Sequence, residues 1–220
     1  RQYSPVLLQA ERFLIQTLSS SYGSFEYISS IDNPDVRSSL FLEFEDPQIT
    51  LLTRIRYSAA INLEKKVKVD DIRLNYRNVR HQEIRKASKM GYTTDDNYSL
   101  SELVTLYKKT FGRQNISVDD AVLHKVHKIC EFAQTKGGFV VVVRDPKMEV
   151  ASAVICLCDK ATAYSIFILN NPSSIKHGCS SLCVNEAICR AKQLGLKNFD
   201  FVGANSPGRG DFKLSFGAAL

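Results

Sequence analysis

No run of apolar residues in this chain approaches the roughly 20 that a helix needs to cross a bilayer, so the sequence holds no helical membrane span. The six cysteines, at positions 130, 156, 158, 179, 183 and 189, include no C-x-x-C pair. Cys156 and Cys158 share a strand face, and Cys179, Cys183 and Cys189 lie on or beside one helix. Reduced, buried thiols in a cytoplasmic protein fit that placement better than disulfides or a metal. The four histidines give no metal-ligand spacing, and no metal is expected. No Ser-His-Asp or Cys-His constellation follows from spacing. No secretory leader is legible at Arg1, and because the chain opens without methionine an upstream part is expected.

What the chain does contain is 220 residues with 44% apolar and 24% charged content, enough to bury a core. Its net charge of +6 is local. Lys65, Lys66, Lys68, Arg73, Arg77, Arg80, Arg85, Lys86 and Lys89 face only Asp70, Asp71 and Glu83 in the same segment, a surplus equal to that of the whole chain. Such a patch suits an anionic partner, phosphate or nucleic acid, and equally suits a solvated helix face.

Along the chain, Pro5 and the apolar spacing of Leu7, Leu8, Leu14, Ile15 and Leu18 predict an amphipathic helix. Phe25–Ile28, Phe41–Phe44 and Ile49–Leu63 read as strands, with a turn at Asp32–Asp35. From Val69 to Met90 the period becomes helical, with Tyr76, Val79, Ala87 and Met90 on one stripe. Glu83 falls inside that stripe and Arg80 at its edge, either as a structural ion pair or as an arginine turned towards an anion. Ser99 and Glu102 form a capping-box pattern ahead of one helix, and Ser117–Asp120 opens another that ends at Gly137-Gly138. Three strands follow, from Phe139, Val150 and Ala161, joined by tight turns as an antiparallel meander. A helix from Cys179 to Leu194 then leads to a strand at Phe199–Val202. Strand, helix and strand with short links predict a right-handed crossover between parallel strands.

A crossover of this kind opens beyond the carboxyl ends of its strands. Leu169, the loop Lys176–Ser181 and Gly203 fall at that edge, and the helix entry with Gly178 and Lys176 suits an anion. Phe212-Lys213 through Phe216-Gly217 closes the tail, placing one lysine between two phenylalanines.

This tail, read as fDF-G-(loop)-FK-x-x-FG, resembles the FemAB-type acyltransferases of the GNAT superfamily, as does Arg77–Ala87 beside their R-x-x-I-R-K-A segment. The resemblance spans about Tyr57 to Ala219. It implies an α/β fold: a GNAT-like mixed sheet of meander and βαβ crossover with helices on both faces. Residues 69–220 would form that domain and 1–68 a partial or degenerate companion half. It implies acyl-CoA as donor, bound by Leu169, Lys176, His177, Gly178, Cys179, Ser180 and Ser181, and an amino group of a sugar or small metabolite as acceptor. Lys213, Phe212 and Asp200 become the catalytic candidates, with Lys213 supplying positive charge to the oxyanion. Arg80 and Gly203 become substrate contacts. Two other readings stay open: aminoacyl transfer from tRNA to a peptidoglycan precursor, and a non-catalytic anion- or RNA-binding module. Val202 and Ala204 keep the latter open, standing where many relatives carry glutamate and serine.

Overall fold

The computed structural model describes residues 5–28, 37, 49–52, 54–65 and 68–220. It divides into two compact units, 1–56 and 57–220. In the first, the expected helix is α1, Pro5–Ser21. Residues 25–28 are irregular, not the strand that their apolar content predicts, since no ladder partner lies beside them among the described residues. The expected Phe41–Phe44 strand and the 32–35 turn lie outside the described residues.

The second unit is built on a six-stranded sheet of order β1-β6-β5-β4-β3-β2, with β1 Ala60–Asn62, β2 Thr93–Asp95, β3 Gly138–Arg144, β4 Val150–Cys158, β5 Thr162–Asn170 and β6 Asn198–Asp200. Of the long strand expected over 49–63, only three described residues are ladder, because β6 offers three partners: Ala60 to Asp200, Ile61 to Phe199 and Asn62 to Asn198. β3, β4 and β5 form the expected antiparallel meander. β5 and β6 are parallel, joined by a helix from Cys179 to Gln193. Near-continuous apolar sequence explains the central strands, since both faces of the sheet are covered.

One face packs α2 (Val69–Arg73), α3 (Asn78–Lys89) and the crossover helix over Ile72, Ala87, Val154, Val184, Ile188 and Phe199. The other packs α4 (Leu100–Gly112) and α5 (Asp120–Phe132) over Leu103, Leu106, Val126, Val142 and Ile155. Ser99 caps α4 as its pattern predicts, accepting from Glu102 N–H while Glu102 accepts from Ser99 N–H. In chain order the crossover helix is α6, and a last helix, α7, covers Pro207–Leu214.

The single helix expected over 69–90 is two helices. The tail breaks it: Arg77 N–H donates to Ser215 O, and Gly217 sits so close to Asn75 that a Cβ would stand 2.6 Å from Asn75 Cβ. Tyr76 turns inwards there, edge-on to Phe216 at 5.2 Å between centroids. Val79 and Met90 consequently face solvent, and the inner side of α3 is Arg80, Ile84 and Ala87. All six cysteines are free, five of them buried.

Candidate active site

β5 is nine residues long and β6 only three, and their pairing ends at Tyr164 beside Asp200. Beyond that point the strands part. The chain after β6 stays with the segment before β1, Phe201 N–H donating to Ala59 O (2.8 Å) and Ala204 N–H to Tyr57 O (2.6 Å). β5 stays with β4, after a bulge at Ile166, where the ladder steps from Ser165 opposite Cys156 to Phe167 opposite Ile155. One wall of the opening is therefore the free edge of β5.

Main-chain groups alternate along a strand. Asn171 N–H donates to Ala151 O (2.8 Å), on the β4 side. Asn170 turns the other way: its N–H donates to Thr110 Oγ1 (2.9 Å), whose hydroxyl in turn reaches Asn170 O (3.1 Å) and Leu106 O (2.8 Å). By the same alternation the N–H and C=O of Ile168 point away from β4, where no strand among the described residues lies beside them. Thr110 plugs the top of this edge, and the groups of Ile168 are left open.

The other wall ends in a turn with a left-handed backbone, Val202 at φ 49° and Gly203 at φ 81°. Asp200 Oδ1 accepts the Val202 N–H (2.7 Å) and the Ser58 hydroxyl. Lys213, on α7, donates to the carbonyls of Phe201, Val202 and Gly203 at 2.8, 3.0 and 2.5 Å. Burial pulls the Lys213 ammonium below the ordinary lysine value, and Asp200 nearby works in the opposite direction.

Phe212 and Phe216, one residue before and three after Lys213, meet edge-on at 5.2 Å and carry the Arg80 guanidinium over their rings at 4.9 and 5.7 Å. Arg80 Nη1 donates to Glu83 Oε2 (2.7 Å) and Ser181 Oγ (2.8 Å), and Ser181 also donates to Glu83. The charged pair on the inner face of α3 is thus held by the first turn of α6 and a ring face, with Arg80 Nε left buried and without a hydrogen-bond partner among the described residues.

The α6 N-terminus lies against α3. Gly178 (φ 85°) is so close to Glu83 that a Cβ would stand 2.3 Å from its carbonyl oxygen. Lys86 Nζ donates to Lys176 O (2.7 Å), and Tyr92 OH and His177 Nδ1 share a hydrogen bond of 2.6 Å. Ser180 donates to Asn170 Oδ1. Cys179 is buried and its thiol is pushed up to about 11 by burial, which keeps it protonated. The Leu169 side chain packs into the opposite layer, against the α4 and α5 side. The structure so gathers Asp200, Gly203 and Lys213 at one wall, and Lys176 through Ser181 with Arg80 at the α3–α6 contact. Ile168, Thr110 and the left-handed Val202 carry no motif, and only strand alternation around the crossover could have pointed to the first. No group of three or more metal-ligating side chains forms among the described residues, and among them no helix is long and apolar enough to cross a membrane.

Comparison with known proteins agrees with this architecture. The profile described as "Acetyltransferase (GNAT) domain" matches residues 75–214. Among solved structures, FemX superposes with a TM-score of 0.65 at 11% identity, covering 96% of this chain and 74% of that one. A GCN5-related glucosamine N-acetyltransferase region of a fungal multi-domain β-N-acetylglucosaminidase gives 0.54 at 12% identity, covering 81% and 22%. A GCN5-related N-acetyltransferase from Sphaerobacter thermophilus gives 0.52 at 10% identity, covering 83% and 52%. No curated protein sequence matches the chain.

Proposed function

Because this chain belongs to the acetyltransferase (GNAT) domain family, we propose that it moves an acyl group from acyl-CoA to an amino group of a sugar or small metabolite, in the opening between β5 and β6. The observation that carries this reading is the free edge of β5 at Ile168. An N–H fixed in a strand and lacking a ladder partner is a preorganised donor for a thioester carbonyl, and it strengthens as that oxygen becomes an oxyanion. The acceptor arrives as a neutral amine and attacks the carbonyl carbon. The C–N bond forms, the C–S bond breaks, and the proton lost by nitrogen leaves with the thiol.

Asp200, with one carboxylate oxygen taken by Val202 N–H and Ser58, keeps the other to orient the amine. Lys213 adds positive charge on the same wall, and Phe212 narrows it. The anionic end of the donor would lie towards Leu169 and the Lys176–Ser181 segment, where Arg80 bonds Ser181, with Gly203 on the acceptor side. Residues 1–56 would act as the partial GNAT-like companion half, the remainder of the expected 1–68 span joining the sheet through β1, a reading supported by a FemX superposition that extends over 96% of the chain. Six free thiols suit the cytoplasm.

The test is release of CoA thiol on mixing the protein with acetyl-CoA and glucosamine. Time-dependent release that needs both substrates is expected. No release with a panel of sugar and small-metabolite amines would overturn the reading.

A second reading draws on the α3–α6 contact. With Glu83, Lys86 and Tyr92 packed on residues 176–178, little of the α6 entry is left for a CoA pyrophosphate. Arg85 and Lys89 stay exposed on α3, and Arg77, exposed just before it, pairs with Asp211. We propose as the alternative an aminoacyl-tRNA-dependent transferase of FemAB type acting on a peptidoglycan precursor. Salt-sensitive binding of bulk tRNA without binding of CoA would favour it.

A further inference from the structure

Lys213 spends all three of its N–H bonds on consecutive main-chain carbonyls, those of Phe201, Val202 and Gly203. None of its hydrogen-bond partners among the described residues is a carboxylate or a side chain. The segment it grips is strained: Val202 is β-branched and sits at φ 49°, a region such a residue occupies only under constraint. Every peptide bond here is trans, and a trans peptide points its C=O and its N–H in opposite directions.

The three carbonyls turned to Lys213 therefore send the N–H groups of Val202, Gly203 and Ala204 away from it. The first goes to Asp200 Oδ1 and the third to Tyr57 O. The middle one, Gly203 N–H, has no hydrogen-bond partner among the described residues. A Cβ at Gly203 would meet nothing within 4 Å, so the turn is uncrowded at this residue. Gly203 stands three residues past the last paired residue of β6. Ile168 stands four past that of β5, with the bulge absorbing one.

We propose that Lys213 is a positioning residue: its ammonium locks the 201–203 carbonyls to one side, so that the Gly203 N–H is held out as a hydrogen-bond donor to a substrate oxygen. The assignment rests on the acyl-transfer reading and refines it. Lys213 acts through the turn, and the group that touches substrate is the Gly203 amide. A cation is required because three converging carbonyl oxygens repel one another, and an ammonium presents three donors to them from one point.

A double-mutant cycle tests it. Lys213→Ala should lower kcat/KM for acetyl transfer about 100-fold, the order seen when an oxyanion donor is lost. It should also let Val202 leave the left-handed region, read from its HN–Hα coupling by NMR, and added propylammonium should recover part of the rate. In a Val202→Gly background the turn carries no Cβ strain, and the same Lys213→Ala change should cost roughly 10-fold or less. Equal losses in the two backgrounds would overturn the proposal, as they would mean that Lys213 acts on the reacting atoms themselves. No loss in either would also overturn it. If the wild type transfers no acyl group, the acyl-transfer reading falls and the coupling measurement still decides the clamp: a Val202 unmoved by Lys213→Ala overturns it.

Discussion

A buried cation and a half-buried one stand at opposite ends of the sheet and are used in opposite ways. Arg144, on β3, donates to Asp95, to Glu102 (2.8 Å), to Asn97 O (2.6 Å) and to Met148 O (2.9 Å), tying β2, α4 and the β3–β4 turn into one knot. Its charge is neutralised by two carboxylates and its fork is filled. Lys213 donates only to carbonyls, beside a strained valine and an unspent amide. The first region is a closed account of polar groups, which gives stability. The second keeps strain and open donors, the combination that marks a working site.

The largest expected effects separate these roles. Arg144→Met leaves Asp95 and Glu102 without their partner and should lower stability by about 3 kcal/mol in urea unfolding, while the folded fraction keeps its turnover. Lys213→Met should do the reverse, cutting kcat/KM about 10²–10³-fold, or about 2.7–4 kcal/mol of transition-state stabilisation. A variant that moved both readouts equally would erase the distinction between the regions.

Next in size is Gly178→Ala, which meets both a left-handed backbone and the Glu83 carbonyl. It should cost about 2 kcal/mol in the same unfolding assay, because α3 must move off α6. Val202→Gly should raise the thermal midpoint by the equivalent of about 1 kcal/mol, by removing the Cβ strain. An unchanged midpoint would show the turn to be relaxed and weaken the contrast.

The smallest effect is one of pH. Glu102 is held down from 4.5 to about 2, first by its hydrogen bond with Arg144 and then by the Ser99 N–H. A carboxyl depressed in the folded state stabilises above its unfolded value and loses that contribution as pH falls through the folded one. The stability gap between wild type and Glu102→Gln should therefore be complete above 4.5 and shrink as the solution approaches pH 2. A gap that stays constant over that window would remove Glu102 from the knot.

Local pattern carried the meander and crossover well. Val150–Cys158 and Cys179–Gln193 are bounded by turn residues and filled with apolar ones, and the expected spans agree to within a residue. β2 escaped notice because Thr93-Thr94-Asp95 is polar, pairing only along the edge of β3. The break after Arg73 was equally silent, since the residues that impose it, Ser215 and Gly217, lie at the far end of the chain. For the site, Lys213 and Gly203 could be named from the tail, but their relation could not. Which oxygens an ammonium grips depends on how α7 folds back over β6, and no spacing rule contains that.

The bulge at Ile166 has a consequence for length variation. Below it Ala163 faces the layer of α3 and α6, whereas above it Phe167 and Leu169 face that of α4 and α5. Deleting that one residue would leave every side chain on its present face, since Ser165 and Phe167 already stand opposite the adjacent Cys156 and Ile155, and would remove only the local bend. Both layers would keep their fit, and the change would fall on the direction in which the wall of the opening runs. A deletion at this point should be better tolerated than one elsewhere in β5, where losing a single residue does turn one half of the strand over.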